Sequence, residues 1–373
     1  MRELAPNDAA RLLVSLHGLD RSVGRGNAGV RGVLARRRAI QLDPLDVIGT
    51  NADLVAHART DGLVRGQVYD ALLPGHAFEH WAKERCLLPA ERFPHWRERA
   101  GEVRWWRTAE RMKRIDAALV EDVLQEIRER GPLAPSDLVD RGRVTPLEWS
   151  GWKGTAKAAS MAVEVLWTSC RIVVSGRTGN AKLYDIPERA LPRVAAIAAD
   201  GPFETVALLD RVTAAGFLPR PSGPWWGLLE AARGATADAL VANGTLDEVR
   251  ITGSRRTWLA HPAGRRPRPP DDRMRILGPL DPLLWDRALV KLAFDFDYVW
   301  EVYKPKRQRR WGWYVCPLLH RGELVGRIEA RAEGAKLNVL NVWVEAGQEL
   351  DRPALDEAIA RHEAFLTDRK SVV

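Results

Sequence analysis

Apolar and polar positions along this chain follow a helical period for most of its length and an alternating one near its end. Residues 7–17 form an amphipathic pattern behind a polar cap, which predicts a helix. A glycine-rich loop (Gly24, Gly26, Gly29) then leads into a second helical stretch, 30–39, whose outer face carries Arg36, Arg37 and Arg38. The tripeptide Gln41-Leu42-Asp43 reads as a short strand and 53–59 as helix, with Gly62 and Pro74-Gly75 as breakers before 77–88.

A long helix is expected over 110–130, stopped by Gly131-Pro132, followed by a helix over 154–169 and two strands, 170–174 and 181–186. Helices followed by a two-stranded hairpin are the order of a winged helix. The order recurs over 204–215, 225–232 and 236–243, closed by strands 246–249 and 256–260, without sequence identity between the repeats. Residues 262–275 are dense in Pro and Arg, a linker composition. Beyond them the pattern changes to strands at 298–303, 311–318, 323–331 and 337–343, and an amphipathic helix over 353–366 closes the chain. The expected class is α+β, divided as 1–100, 101–195, 196–265 and a β-rich 272–373.

Composition narrows the function. With 46% hydrophobic and 28% charged residues over 373 positions, the chain reads as globular and as several compact units. No apolar run approaches the roughly 18 residues of a membrane span, and the N-terminus lacks a signal-peptide core, so a cytoplasmic, nucleoid-associated protein is expected. Cys86, Cys170 and Cys316 are far apart, which suggests neither disulfides nor a thiolate metal site. A net charge of +8 and a pI near 9.6 favour a polyanionic partner.

Several constellations could carry chemistry. In extended geometry Gln41 and Asp43 would share one face, an amide beside a carboxylate, enough to hold and polarise a water molecule; Asp43-Pro44 is equally an ordinary turn opener. His76-Ala77-Phe78-Glu79-His80 matches His-x-x-Glu-His, a zinc-peptidase pattern if helical, with Glu148 as a third ligand. Lys304, Lys306, Arg307, Arg309 and Arg310 lie between aromatic stretches (Tyr303; Trp311, Trp313, Tyr314), which predicts a hairpin tip that meets phosphates. Lys153 and Lys157 would open a recognition helix. No lysine is marked in the sequence as desolvated and ready for a Schiff base.

Gln41-Leu42-Asp43, Ala77 to Trp81 and Leu87-Leu88-Pro89, with Leu277 to Arg287, Phe294 to Tyr298, Glu301-Val302-Tyr303 and Gly312 to Leu318, together resemble the AlkZ/YcaQ-type winged-helix DNA glycosylases over nearly the whole chain. The resemblance implies three tandem winged-helix units and a β-rich C-terminal domain forming a concave DNA-binding body. It implies a catalytic pair at Gln41 and Asp43, and lesion-pocket candidates at Arg59, His80, Trp81, Asp281, Trp285 and Arg287. It also implies phosphate contacts from Arg36, Arg37, Lys153, Lys157 and the 304–310 cations. The implied reaction is hydrolysis of the N-glycosidic bond of bulky N7-alkylguanine in double-stranded DNA by a monomer, without metal, cofactor or strand cleavage, with interstrand crosslinks a further candidate substrate. Thr50, Ala52 and Asp53 stand where many members carry Arg and a His pair, and Lys83 where His is frequent. A non-catalytic winged-helix regulator is the alternative expectation.

Overall fold

The computed structural model describes residues 1–102, 106–147, 154–179, 181–262 and 267–367. The chain forms two compact units, one from Met1–Ala71, Trp81–Leu87 and Ala207–Val373, the other from Leu72–His80 and Leu88–Val206. Both mix helices with small sheets, an α+β architecture. Among the described residues, no helix is long and apolar enough to cross a membrane.

In the first unit the helix Pro6–Leu16 starts on a proline, where the missing N–H costs no hydrogen bond, and buries Ala9, Ala10, Leu13 and Val14. Those side chains join a core that contains Phe217, Trp258, Leu283, Phe296 and Tyr298. Just ahead of the helix, Arg2–Leu4 pairs parallel with Val249–Ile251 in a sheet of order Arg2–Leu4, Asp247–Ile251, Thr257–Ala260, Leu218–Pro219. The hairpin predicted over 246–260 is therefore present, in the register Val249 opposite Trp258.

The glycine-rich stretch is not a loose loop. Gly26 and Gly29 lie in the helix Gly26–Arg37, and a Cβ on Gly29 would sit 2.3 Å from the Thr60 methyl and 2.9 Å from the Gly24 carbonyl carbon. Glycine there lets the helix press onto the parallel strands Gly24–Arg25 and Thr60–Asp61.

At the C-terminal end, Arg275–Ile276, Val315–His320, Glu323–Glu333 and Lys336–Val344 form an antiparallel sheet in that order, followed by the helix Arg352–Leu366. Two strands expected here are altered. Residues 298–303 form no strand, because Tyr298 and Glu301 turn inward, the Tyr298 hydroxyl donating to the Val315 carbonyl at 2.8 Å. The strand expected from 311 begins only at Val315.

In the second unit the helix expected over 110–130 is two, Trp106–Met112 and Ala117–Arg130. Asp116 divides them by capping the second, accepting the Ala118 N–H at 3.1 Å. Ala158–Thr168 follows, then the antiparallel hairpin Val173–Thr178 and Ala181–Asp185. That helix buries Ala158, Ala159, Met161, Ala162, Val163, Val165, Leu166, Trp167 and Thr168 and leaves only Ser160 and Glu164 partly exposed. A helix buried so nearly all round is a core element and offers little surface to a DNA groove, against its expected role as a recognition helix. Lys157 belongs to the short strand Ala156–Lys157 ahead of it, and Lys153 lies outside the described residues.

Candidate active site

The carboxylate at Asp43 is placed by a strand that ends early. Ile40 and Gln41 pair antiparallel with Leu87 and Cys86, and the Leu42 N–H donates to the Arg85 carbonyl at 2.8 Å. Pairing stops there, and the chain turns at Asp43-Pro44, the turn opener that the sequence also offered. Asp43 Oδ1 accepts the Leu45 N–H at 2.9 Å, an Asx turn that fixes the carboxylate while leaving it half-buried. Burial raises the Asp43 pKa above its ordinary value, opposed by that N–H. Gln41 is 5% exposed, and its Oε1 is buried without a hydrogen-bond partner in the protein. An unmet buried acceptor costs on the order of 1–3 kcal/mol, a cost that sites retain when the group is needed for a ligand or water.

Three anchors hold the loop beyond Asp43. The Ala332 N–H donates to the Val47 carbonyl at 3.0 Å, His362 Nε2 donates to the Ile48 carbonyl at 2.7 Å, and Thr50 caps the helix Asn51–His57 through the Asp53 N–H. Asn51, 1% exposed, ties the site to the Leu277–Arg287 motif: its Nδ2 donates to the Gln41 carbonyl at 2.8 Å and its Oδ1 accepts the Leu280 N–H at 3.3 Å. A Cβ on Gly278 would fall 2.9 Å from that Oδ1, so only glycine allows the approach. Asp53 is fully buried, and burial pushes its pKa up to about 6 against the Thr50 hydrogen bond. Burial pushes the Tyr314 hydroxyl pKa up, with smaller contributions in the same direction from Cys316, Tyr298 and Asp43.

His362 gives the loop an acid-sensitive anchor. It packs against His57 and Phe365, and burial pushes its pKa from 6.5 to about 4. Below pH 6.5 the unfolded chain takes up a proton that the folded one refuses, so stability is full above 6.5 and falls with pH by ~1.4 kcal/mol per unit. In urea unfolding the wild type should therefore lose about 2 kcal/mol more between pH 7 and pH 5 than His362→Gln, whose amide can still donate to Ile48. Equal losses in the two proteins would rule out His362 as the titrating anchor.

The other candidates divide sharply. Arg59 and Asp281, expected in the lesion pocket, form a fully buried bidentate ion pair at 2.6 and 2.9 Å, so neither faces a ligand. Arg37, expected on an outer face, is 5% exposed and donates to the Thr213 carbonyl at 3.2 Å; burial and the nearby Arg59 push its pKa down to about 9. Arg36, its neighbour, is exposed. Trp285 is half-buried, donates to the Leu280 carbonyl at 3.3 Å and carries the Lys83 ammonium 5.3 Å from its ring centroid. Arg287 is exposed and reaches over Tyr298 at 5.6 Å. Trp81 packs under Arg85 at 5.3 Å. In the second unit, His80 packs on Trp167 at 5.2 Å.

The zinc-peptidase pattern fails on geometry. Ala77–Trp81 is a strand and His76 lies in the preceding turn, so the two imidazoles do not share a helix face. Glu79, which would be the general base, is buried and ion-paired with Arg177 and Lys182. Glu148 lies outside the described residues, among which no cluster of His, Cys, Asp or Glu could hold a metal.

The expected basic hairpin tip is instead a loop with a single 3-10 turn, Lys306–Gln308. Lys304 is paired with the buried Glu301 at 2.8 Å and Arg309 donates to the Lys304 carbonyl at 2.8 Å, whereas Lys306, Arg307 and Arg310 are exposed. Sequence reading missed Asn51 and His362, and it named Glu301 and Lys83 without foreseeing the clasp at Glu301 or the burial of Lys83, which lowers its pKa. Only Asn51 had a local signal, the Thr50-x-x-Asp53 capping pattern beside it.

With this geometry, two comparisons bear on identity. A solved structure, the Streptomyces sahachiroi DNA glycosylase AlkZ, matches with a TM-score of 0.61 at 16% sequence identity, covering 98% of this chain and 97% of that one, and so shares its fold. The model of the AlkZ-like DNA glycosylase family matches residues 34–365, from the helix before Gln41 to the helix that holds Ile48. The chain belongs to that family and is a DNA glycosylase.

Proposed function

We propose that this glycosylase hydrolyses the N-glycosidic bond of alkylated purines in double-stranded DNA, bulky N7-alkylguanine foremost, with Asp43 and Gln41 as its catalytic pair. The observation that carries the reading is the half-buried Asp43 carboxylate, pinned by the Leu45 N–H two residues after the unpaired Gln41 Oε1. Alkylation at N7 gives guanine a formal positive charge, so the base leaves with the bond's electron pair and needs little help from an acid. The sugar is left as an oxocarbenium-like cation, which an ionised carboxylate stabilises while taking a proton from the attacking water. Gln41 Oε1 accepts a hydrogen bond from that water and orients it. Monomeric action and the winged-helix units at 1–100, 101–195 and 196–265, with a β-rich 272–373, belong to the same proposal.

Incubation with duplex DNA containing N7-alkylguanine tests it: free alkylated base should appear, and strand breaks only after alkali. Breaks without alkali, trapped by borohydride on Lys83, would replace hydrolysis with Schiff-base chemistry. For binding, Lys306, Arg307 and Arg310 are the exposed cations of the 304–310 loop. Replacing the three with Gln should flatten the dependence of log affinity on log salt by ~0.9 for each phosphate that is no longer neutralised. An unchanged slope would put the phosphates elsewhere.

A further inference from the structure

We propose that Tyr303 is a stacking residue, which lays its ring on a nucleobase of the duplex while the neighbouring cations hold the phosphates. This rests on the DNA reading above and deepens it. Tyr303 is 83% exposed, unlike the other rings around the basic loop. Trp311 is already covered, with the Arg310 and Arg327 guanidinium groups 4.5 and 4.1 Å from its centroid. Trp313 donates to the Val302 carbonyl at 3.2 Å, and Tyr314 is 3% exposed. Trp300 packs edge-on to Tyr303 at 5.7 Å and to Tyr314 at 6.4 Å, which supports the exposed ring from below.

The loop that carries it is stapled. Glu301, 3% exposed, sits at its neck and accepts from Lys304 Nζ and from the Trp311 N–H, both at 2.8 Å, closing the loop onto one carboxylate. The Gln308 N–H donates to the Pro305 carbonyl at 2.8 Å. A large aromatic surface held in water by a braced loop gains nothing for folding, and the exposed Lys306, Arg307 and Arg310 of the same loop disfavour an apolar or cationic partner. A base has an apolar face bordered by phosphates, which fits both features.

The test measures duplex binding and 2-aminopurine fluorescence, with the probe beside an abasic site, for wild type, Tyr303→Ala, Tyr303→Phe and Tyr303→Trp. Tyr303→Ala should bind about tenfold more weakly and lose the fluorescence change, with salt slope and melting temperature unaltered. Tyr303→Phe and Tyr303→Trp should restore both. Wild-type affinity and fluorescence in Tyr303→Ala would overturn the inference, as would a failure of Phe to rescue, which would assign the role to the hydroxyl. Release of alkylated base by the wild type, scored separately, distinguishes failure of the stacking role from failure of the glycosylase reading.

Discussion

Asp43→Asn should cut the rate of base release by at least about a hundredfold while leaving affinity for lesion-bearing duplex within about twofold. The side chains are nearly isosteric, and an Asn oxygen can still accept the Leu45 N–H that fixes the turn, so the change removes charge and little else. Charge is what the transition state needs, since the cation on the sugar exists only as the base departs. An interaction present only then lowers the rate and not the affinity when it is removed. The wild-type pH profile adds a second check: burial raises the Asp43 pKa, so activity should fall with decreasing pH along a limb above 3.8, and the limb should vanish from the residual Asp43→Asn activity. Base release by Asp43→Asn at the wild-type rate would refute the mechanism even with glycosylase activity intact.

The short strand Ile40–Gln41 and the turn at Asp43-Pro44 are both legible in the sequence because both are local. What braces the loop comes from far along the chain, Ala332 and His362 through backbone carbonyls at Val47 and Ile48, and no local pattern announces such pairings. Glu301 is similar: its neighbours read as strand, and only burial turns it into the clasp of a cationic loop.

Helices were read best where one face is apolar, as at Pro6–Leu16 and Arg352–Leu366. The reading failed where composition serves packing. Gly24, Gly26 and Gly29 suggested a loop, yet Gly24 and Gly29 form a close-packed seam, and the lysine-led helix over 154–169 is a core element. Arginine misled most: Arg37 was expected to meet phosphate and Arg59 to line the lesion pocket. Both lie inside instead, beside a His17 kept neutral by burial and by those two charges.

That internal use of arginine makes Asp281 a sensitive structural position in the first unit. Its carboxylate holds Arg59 through two hydrogen bonds and caps the turn Pro282–Leu284 through the Leu283 N–H at 3.0 Å, while Arg59 also donates to the His17 and Val55 carbonyls at 2.7 and 2.9 Å. Asp281→Ala strands a buried guanidinium and should destabilise the protein by about 3–5 kcal/mol, read as a lower urea midpoint. The paired replacement Arg59→Met with Asp281→Leu removes both charges and should recover most of that loss, because an ion pair taken out of water contributes little beyond a well-packed apolar pair. The same double variant decides between bracing and lesion binding: folded protein should release base at close to the wild-type rate. A double variant that is stable yet inactive would return Arg59 and Asp281 to the lesion pocket.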